Sequence, residues 1–385
     1  MKIGITCYPT YGGSGAVATE LGLELARRGH EVHFVSYAQP FRLDRFREGV
    51  FFHEVEMMPY PLFEYPPYSL ALAVTMHEVV RDHDLDLLHV HYALPHATSG
   101  WITREMLRSE GADVKVVTTL HGTDITLVGQ DDSFRSITRF SIEMSDGLTA
   151  VSDWLRRETA EAFGVETDRI EVIPNFVDVE EFDRDRYPCH RSSLAPGGEK
   201  ILMHISNFRP VKRVVDVVRV HAAVREEVPA RLVMIGDGPE RGHAEDAAEE
   251  LGTDDDVVFL GKLESVAELL ACADLFLLPS EEESFGLVAL EAMASGVPVV
   301  GSSGSGLAEV VEDGVSGRLH PVGAVEEMAE SAVGLLTDGD RWGRFSEAGR
   351  RRAVEEFSAD RVVPRYEALY RAVLGGSGAA AHGSG

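Results

Sequence analysis

The stretch LLPSEEESFGLVALEAMASGVPVV, Leu277 to Val300, holds one complete structural unit. An apolar run from Leu275 stops at Pro279 and is followed by Glu281, Glu282 and Glu283. A second apolar run, "SFGLVALEAMASG", has helical length and ends at a glycine. A third, "VPVVGS", is short and rich in valine. Strand, loop, helix, strand in that order is a parallel crossover, and strands without polar alternation are buried on both faces. Two carboxylates interrupt this greasy unit. Glu283 lies just outside the helix and Glu291 about two turns further on. A solvated helix face would be the plain reading of Glu291, but its neighbours "LVAL" and "AMA" argue against it.

The same grammar extends in both directions. "EKILMHISNF", "ARLVMIGDG" and "VVFLG" read as strands before it, with helices at "VVDVVRVHAAVREE" and "SVAELLACA". The N-terminal half runs through "KIGITCY", a helix in "GGSGAVATELGLELARRGH", then strands "EVHFVSY", "LDLLHVHY", "VKVVTTLHG" and "GLTAVS". Strands alternating with helices predict two α/β domains of the doubly wound, Rossmann-like kind, facing across a cleft at the carboxyl ends of their strands. The expected domains are residues 1–175 and 199–356. A proline-, glycine- and charge-rich linker spans 176–198, a last helix 357–374, and a low-complexity, disordered tail 375–385.

Bulk properties narrow the classes of function. The net charge of −28 argues against nucleic acid or an anionic membrane surface as partner. Carboxylate repulsion on this scale is screened by salt, so a halophilic adaptation and an ordinary acidic surface are both readings of it. No run is long enough to span a bilayer, and "MKIGITCYPTYGG" lacks the parts of a signal peptide. Cys7, Cys189 and Cys272 are scattered, with no metal or redox spacing, which fits a reducing cytoplasm.

The chemistry is expected in the loops after strands. In "TYGGSGAVATE", Gly12, Gly13 and Gly15 open a helix whose amides can meet an anion. The next strand ends at Ser36, where a dinucleotide fold would place an acidic residue, which weighs against NAD(P). His89, His91, His96 and His121 cluster at strand ends, but no carboxylate or cysteine completes a zinc pattern, so no metal is assigned. In "TLHGTDITLVG", Thr123 and Asp124 anchor the turn beside Gly122 and His121. In "SNFRPVKRVVD", Arg209 and Lys212 precede a helix whose dipole disfavours cations, so an anionic ligand such as a diphosphate explains them better. The amides of Phe285, Gly286 and Leu287 open a further helix N-terminus.

Taken together, these loops resemble the retaining GT-B glycosyltransferases that carry a Glu–seven residues–Glu motif, here Glu283 to Glu291. The likeness covers essentially the whole chain. It implies that Glu283 faces the donor hexose, Glu291 the ribose, and Arg209 and Lys212 the diphosphate. "KIGITCYP…GGSG", "HYALPHA", "TTLHGTDIT", "ISNFRPVKRVVDVV" and "GDGPE" are similar to the branch that moves N-acetylglucosamine from UDP-GlcNAc to L-malate in bacillithiol biosynthesis. One departure is Ser305-Gly306-Leu307-Ala308-Glu309, where the family usually has Gly-Gly-Ile/Leu-Pro-Glu; exchanging proline for alanine loosens a loop.

The resemblance implies catalytic roles for His121, Arg209, Lys212 and Glu283. Donor contacts are implied for Gly13, Ser206, Arg209, Lys212, Glu283, Phe285, Gly286, Leu287 and Glu291, and acceptor contacts for Ser14, Tyr92, Thr119 and Asn175. It implies no cofactor or metal beyond the donor substrate, no membrane insertion, and leaves a homo-oligomer open. The rival readings are a related transferase with another small acceptor, a UDP-GlcNAc 2-epimerase, and a non-catalytic nucleotide-sugar sensor.

Overall fold

A computed structural model describes residues 1–9, 13–40, 43, 46–57, 67–127, 129 and 131–376. Gly12 of the first loop and the tail from residue 377 lie outside the described residues. The chain divides into two units, one formed by Met1–Pro174 with the segment from Val362, the other by Asn175–Arg361.

The first unit is built on a parallel sheet of β1 (Lys2–Thr6), β2 (Glu31–Ser36), β3 (Val50–Glu54), β4 (Leu87–His91), β5 (Lys115–Leu120), β6 (Gly147–Ala150) and β7 (Glu171–Val172), in the order β3-β2-β1-β4-β5-β6-β7. Helices α1 (Gly13–Arg27), α2 (Tyr68–His83), α3 (Thr98–Ser109), α4 (Asp132–Glu143) and α5 (Asp153–Phe163) connect the strands. Ile3 pairs with Val32 on one side and Leu87 on the other, and all three are fully buried, as continuous apolar strands require.

The second unit carries β8 (Lys200–Ile205), β9 (Ala230–Ile235), β10 (Val257–Gly261), β11 (Leu275–Leu278), β12 (Val299–Ser302) and β13 (Gly317–His320), ordered β10-β9-β8-β11-β12-β13 and parallel throughout. Its helices are α6 (Arg191–Leu194), α7 (Val214–Arg225), α8 (Arg241–Glu250), α9 (Ala267–Leu270), α10 (Leu287–Ala294), α11 (Leu307–Val310), α12 (Val325–Leu336) and α13 (Gly339–Phe357). Both sheets reverse strand order once, between β1 and β4 and between β8 and β11. At such a reversal the flanking loops diverge and leave a crevice at the strand ends.

The segment 176–198, read as a linker, packs within the second unit. The Val177 amide donates to the carbonyl of Phe357, Arg184 donates to the carbonyls of Ala271 and Ala273, and Arg191 pairs with Asp274 at 2.7 Å. The final helix, α14 (Ala359–Leu374), returns to the first unit from Val362 onward. Val362, Tyr366 and Tyr370 recur every four residues and are buried, which is the stripe a docked helix needs. β3, β7 and β13 have no counterpart in the sequence reading. All three are sheet edges, and none is a fully buried run like the inner strands.

Candidate active site

The second unit's crevice is formed by the loops after β8 and β11. After β8 the chain makes an extended turn, Ser206 to Arg209, into a short 3-10 turn at Pro210–Lys212. His204 is buried at the strand end, with its Nδ1 2.8 Å from the Leu277 carbonyl and its Nε2 2.7 Å from Ser206 Oγ. Burial pushes this imidazole down to about 4, so it is neutral at pH 7. Ser206 Oγ accepts the amide of Phe208 at 3.3 Å, and Phe208 sits in the left-handed region at φ 40°. A second loop braces this turn. A Cβ on Gly236 would lie 1.8 Å from the Ser206 carbonyl oxygen, and one on Gly238 2.1 Å from that of Asn207. Glycine at 236 and 238 is therefore what lets the two backbones touch.

The loop after β11 brings in the motif glutamates. Lys212 Nζ donates to Glu283 Oε1 at 2.7 Å, and Ser280 Oγ donates to the same oxygen at 2.7 Å. Glu281 N donates to the Val211 carbonyl at 2.8 Å, so the two loops are stitched by backbone as well as by charge. Arg209, by contrast, is exposed and has no carboxylate within ion-pair distance among the described residues. The expected pair of diphosphate cations is thus one open guanidinium and one ammonium already matched to the glutamate expected at the hexose.

Gly286 caps α10 in the left-handed region at φ 92°, and a Cβ there would meet Leu307 Cδ1 at 2.8 Å. Among the described residues none accepts from the amides of Phe285, Gly286 or Leu287, so this helix start offers donors to an anion. Phe285 is buried edge-on against Phe357, with ring centroids 5.7 Å apart. Glu291 is buried on α10. The departing segment at 305–309 proves structural: Ser305 Oγ accepts the Glu283 amide at 3.2 Å, and a Cβ on Gly306 would lie 2.2 Å from the Ser284 carbonyl oxygen.

In the first unit the loops after β1, β4 and β5 converge. Ser14 in the first turn of α1 accepts the Tyr92 hydroxyl at 2.8 Å, and Gly13 beside it is exposed. His91 Nδ1 lies 2.8 Å from His121 Nε2, and the rings stack at 5.1 Å. Burial holds His91 well below the ordinary range and His121 and His89 down to about 3, so the cluster is uncharged. The Nε2 atoms of His91 and His96 are buried with no hydrogen-bond partner among the described residues. Asp124 holds the loops by accepting the amides of Ala93 at 2.8 Å and Gly122 at 3.1 Å, and burial raises its carboxyl to about 6.

Two acceptor candidates stand differently from expectation. Thr119 is fully buried, with its hydroxyl 2.7 Å from both His89 Nε2 and Thr149 Oγ1, so it braces the strand layer instead of facing a ligand. Asn175 falls at the start of the second unit and is buried, its Oδ1 without a partner among the described residues. The sequence reading did not single out Ser280 or Tyr370. The latter places its hydroxyl 2.7 Å from His89 Nδ1 from α14.

Residues 186–352 match the family Glycosyl transferases group 1, and residues 11–181 match Glycosyltransferase Family 4. The chain belongs to these GT-B glycosyltransferases. It is 48% identical over 97% of both chains to N-acetyl-alpha-D-glucosaminyl L-malate synthase of Bacillus anthracis. It is 30% identical to D-inositol 3-phosphate glycosyltransferase of Nocardia farcinica, over 87% of this chain and 79% of that one. Among solved structures, sucrose-phosphate synthase from Thermosynechococcus elongatus superposes with a TM-score of 0.78 at 21% identity, covering 97% of this chain and 99% of that one. Anabaena HepE in complex with UDP and glucose gives a TM-score of 0.78 at 20% identity, over 96% and 98%. No described helix is long and apolar enough to cross a membrane.

Proposed function

We propose that the protein transfers N-acetylglucosamine from UDP-GlcNAc to the hydroxyl of L-malate with retention of anomeric configuration, the first step of bacillithiol biosynthesis. The observation that carries this reading is the near-full-length 48% identity to the B. anthracis enzyme.

The donor diphosphate lies on Arg209, Lys212 and the amides at the start of α10. These groups are fixed before reaction and meet the charge that grows on the leaving UDP, so they act on the transition state more than on the ground state. Engagement of Lys212 by the diphosphate frees Glu283 for the sugar hydroxyls, for which a carboxylate is a strong acceptor. Glu291 holds the ribose. The leaving phosphate takes the proton of the malate hydroxyl as the new bond forms on the same face. Neutral His121 contacts the donor sugar. Ser14, Tyr92 and the amides at the start of α1 serve the acceptor's carboxylates. Cations and helix amides supply the positive charge, so the proposed reaction runs without a metal, and in the cytoplasm.

The test is incubation of the enzyme with UDP-GlcNAc, with and without L-malate, with mass detection of products. Malate-dependent UDP release together with the GlcNAc–malate mass is the expected result. UDP release indifferent to malate overturns it and points to an epimerase. The 30% identity to an inositol phosphate transferase favours one second reading, another small acceptor. An acceptor screen in which malate is outcompeted would establish it.

A further inference from the structure

Three histidines far apart in sequence meet at the opposite edge of the first sheet. His33 on β2, His53 on the edge strand β3 and His83 in the last turn of α2 each offer a ring nitrogen, and these nitrogens lie within 4.8 Å of one another. The ring centroids are 4.5 to 5.1 Å apart, with Phe51 stacked on His33 at 4.8 Å. His33 is fully buried, and the other two are part-exposed at the rim. The elements that carry them are not those of the transferase site. His83 ends a helix on the amino-end side of the sheet, whereas Ser14, His91 and His121 follow carboxyl ends.

Two details separate this cluster from a plain stack of hydrogen-bonded histidines. His33 Nε2 lies 3.0 Å from Glu31 Oε1. A carboxylate there fixes the proton on Nε2 and turns the lone pair of Nδ1 inward, toward His53 Nε2 at 2.9 Å. A carboxylate behind an imidazole is the arrangement that orients metal-bound histidines and raises their basicity. The second detail is His83. Its ring nitrogens bond to no described residue although the ring packs 4.5 Å from His33. A hydrogen-bonded pair has no use for that third imidazole, while a metal does.

We propose that His33 Nδ1, His53 and His83 form a site for a first-row divalent cation, Zn²⁺ or one of its imidazole-binding neighbours, with Glu31 as the carboxylate behind His33. Three imidazoles at Zn–N distances of about 2.0–2.1 Å leave a fourth tetrahedral position to water. The position at the end of α2 adds the negative end of a helix dipole. The Lys2 ammonium donates to the His83 carbonyl at 2.8 Å and lies 3.9 Å from Glu31. The site ties edge strand β3 to β2 and α2, so its effect is on stability and not on sugar transfer.

The full chain, free of any added histidine tract and stripped with chelator, is titrated with Co²⁺ and Zn²⁺ by calorimetry and visible absorption. One equivalent of Co²⁺ with the absorption of a four-coordinate ion is expected, displaced by Zn²⁺, with a thermal midpoint that rises as free Zn²⁺ rises. His53→Gln and His83→Gln should each weaken binding at least tenfold, and Glu31→Gln by roughly 10–100-fold. His243→Gln, on α8 of the other unit, should leave it unchanged. No stoichiometric binding, or equal binding by wild type and the rim variants, overturns the site. Should the variants not fold, Zn²⁺ protection of wild-type His53 and His83 from diethyl pyrocarbonate decides: unprotected rings overturn it, protected rings support it.

Discussion

Lys212 carries two burdens, and a double-mutant cycle with Glu283 separates them. Its ammonium is 2.7 Å from Glu283 Oε1, with the two side chains only 20% and 10% exposed. Removing one member of a well-buried pair costs about 3–5 kcal/mol because the other charge is stranded. Here Glu283 keeps the Ser280 hydroxyl and some solvent, which lowers the expectation for Lys212→Met to about 1–3 kcal/mol. Glu283→Gln is milder, about 1 kcal/mol, since the amide oxygen still accepts from Lys212. The double variant strands no charge, so its loss should be smaller than the two single losses together, by about 1 kcal/mol or more. Activity should behave otherwise. Both single variants should lose about 10²–10³-fold in kcat by analogy with deletion of one preorganised charge-stabilising donor, and the double variant should recover none of it. Chemical denaturation measures the first quantity and steady-state kinetics with UDP-GlcNAc and malate the second. Additive stability losses would refute the ion pair as a structural element, and a kcat of Lys212→Met within threefold of wild type would refute its role at the departing diphosphate.

Acid should unfold the protein early. His89 and His121 titrate at about 3 and His96 and His204 at about 4 when folded, against 6.5 when unfolded. Depressed bases give stability that is present above 6.5 and is lost as pH falls toward the folded values. Asp124, raised to about 6, has the opposite sign: its folded form takes up a proton first and offsets one imidazole. Among these five groups the imbalance near pH 5 is about three protons, about 4 kcal/mol per pH unit, and His53, held down at about 4, and His91, held well below the ordinary range, add to it in the same direction; a denaturation midpoint unchanged from pH 7 to pH 5 would contradict it. Gly236→Ala must push the Ser206 carbonyl aside while holding φ at 121°, so a loss of roughly 3 kcal/mol and a raised donor KM are expected; a wild-type melting curve would contradict the packing. Tyr370→Phe strands buried His89 Nδ1 and should cost about 1–3 kcal/mol by denaturation, with no change in donor KM.

The inner strands of both sheets were legible because a strand buried on both faces needs an apolar run, as "ILM" and "LFLL" supply. The edges were not. β3 is half-exposed and carries His53 and Glu54, β7 has two residues, and both are held by pairing that local composition does not encode. The loops of the site were legible for a topological reason. An order reversal in a parallel sheet opens beside its first strand, so loops after "HISNF" and "LFLLPS" had to be neighbours once those segments were strands. What those side chains do to one another was not legible. Lys212 and Glu283 are 71 positions apart, and each looks like a ligand group when read alone. Thr119 was an acceptor candidate by resemblance alone, and in the fold its hydroxyl is taken up by His89 and Thr149. The same blindness hid His33, His53 and His83, which share no motif and are joined only by register and by the length of α2. Histidine clusters that fold on long-range pairing are therefore read from coordinates or missed, and here the cluster that spacing suggested, at His89, His91 and His121, is the one whose partners are strand-layer hydroxyls, an inter-strand histidine contact and α14.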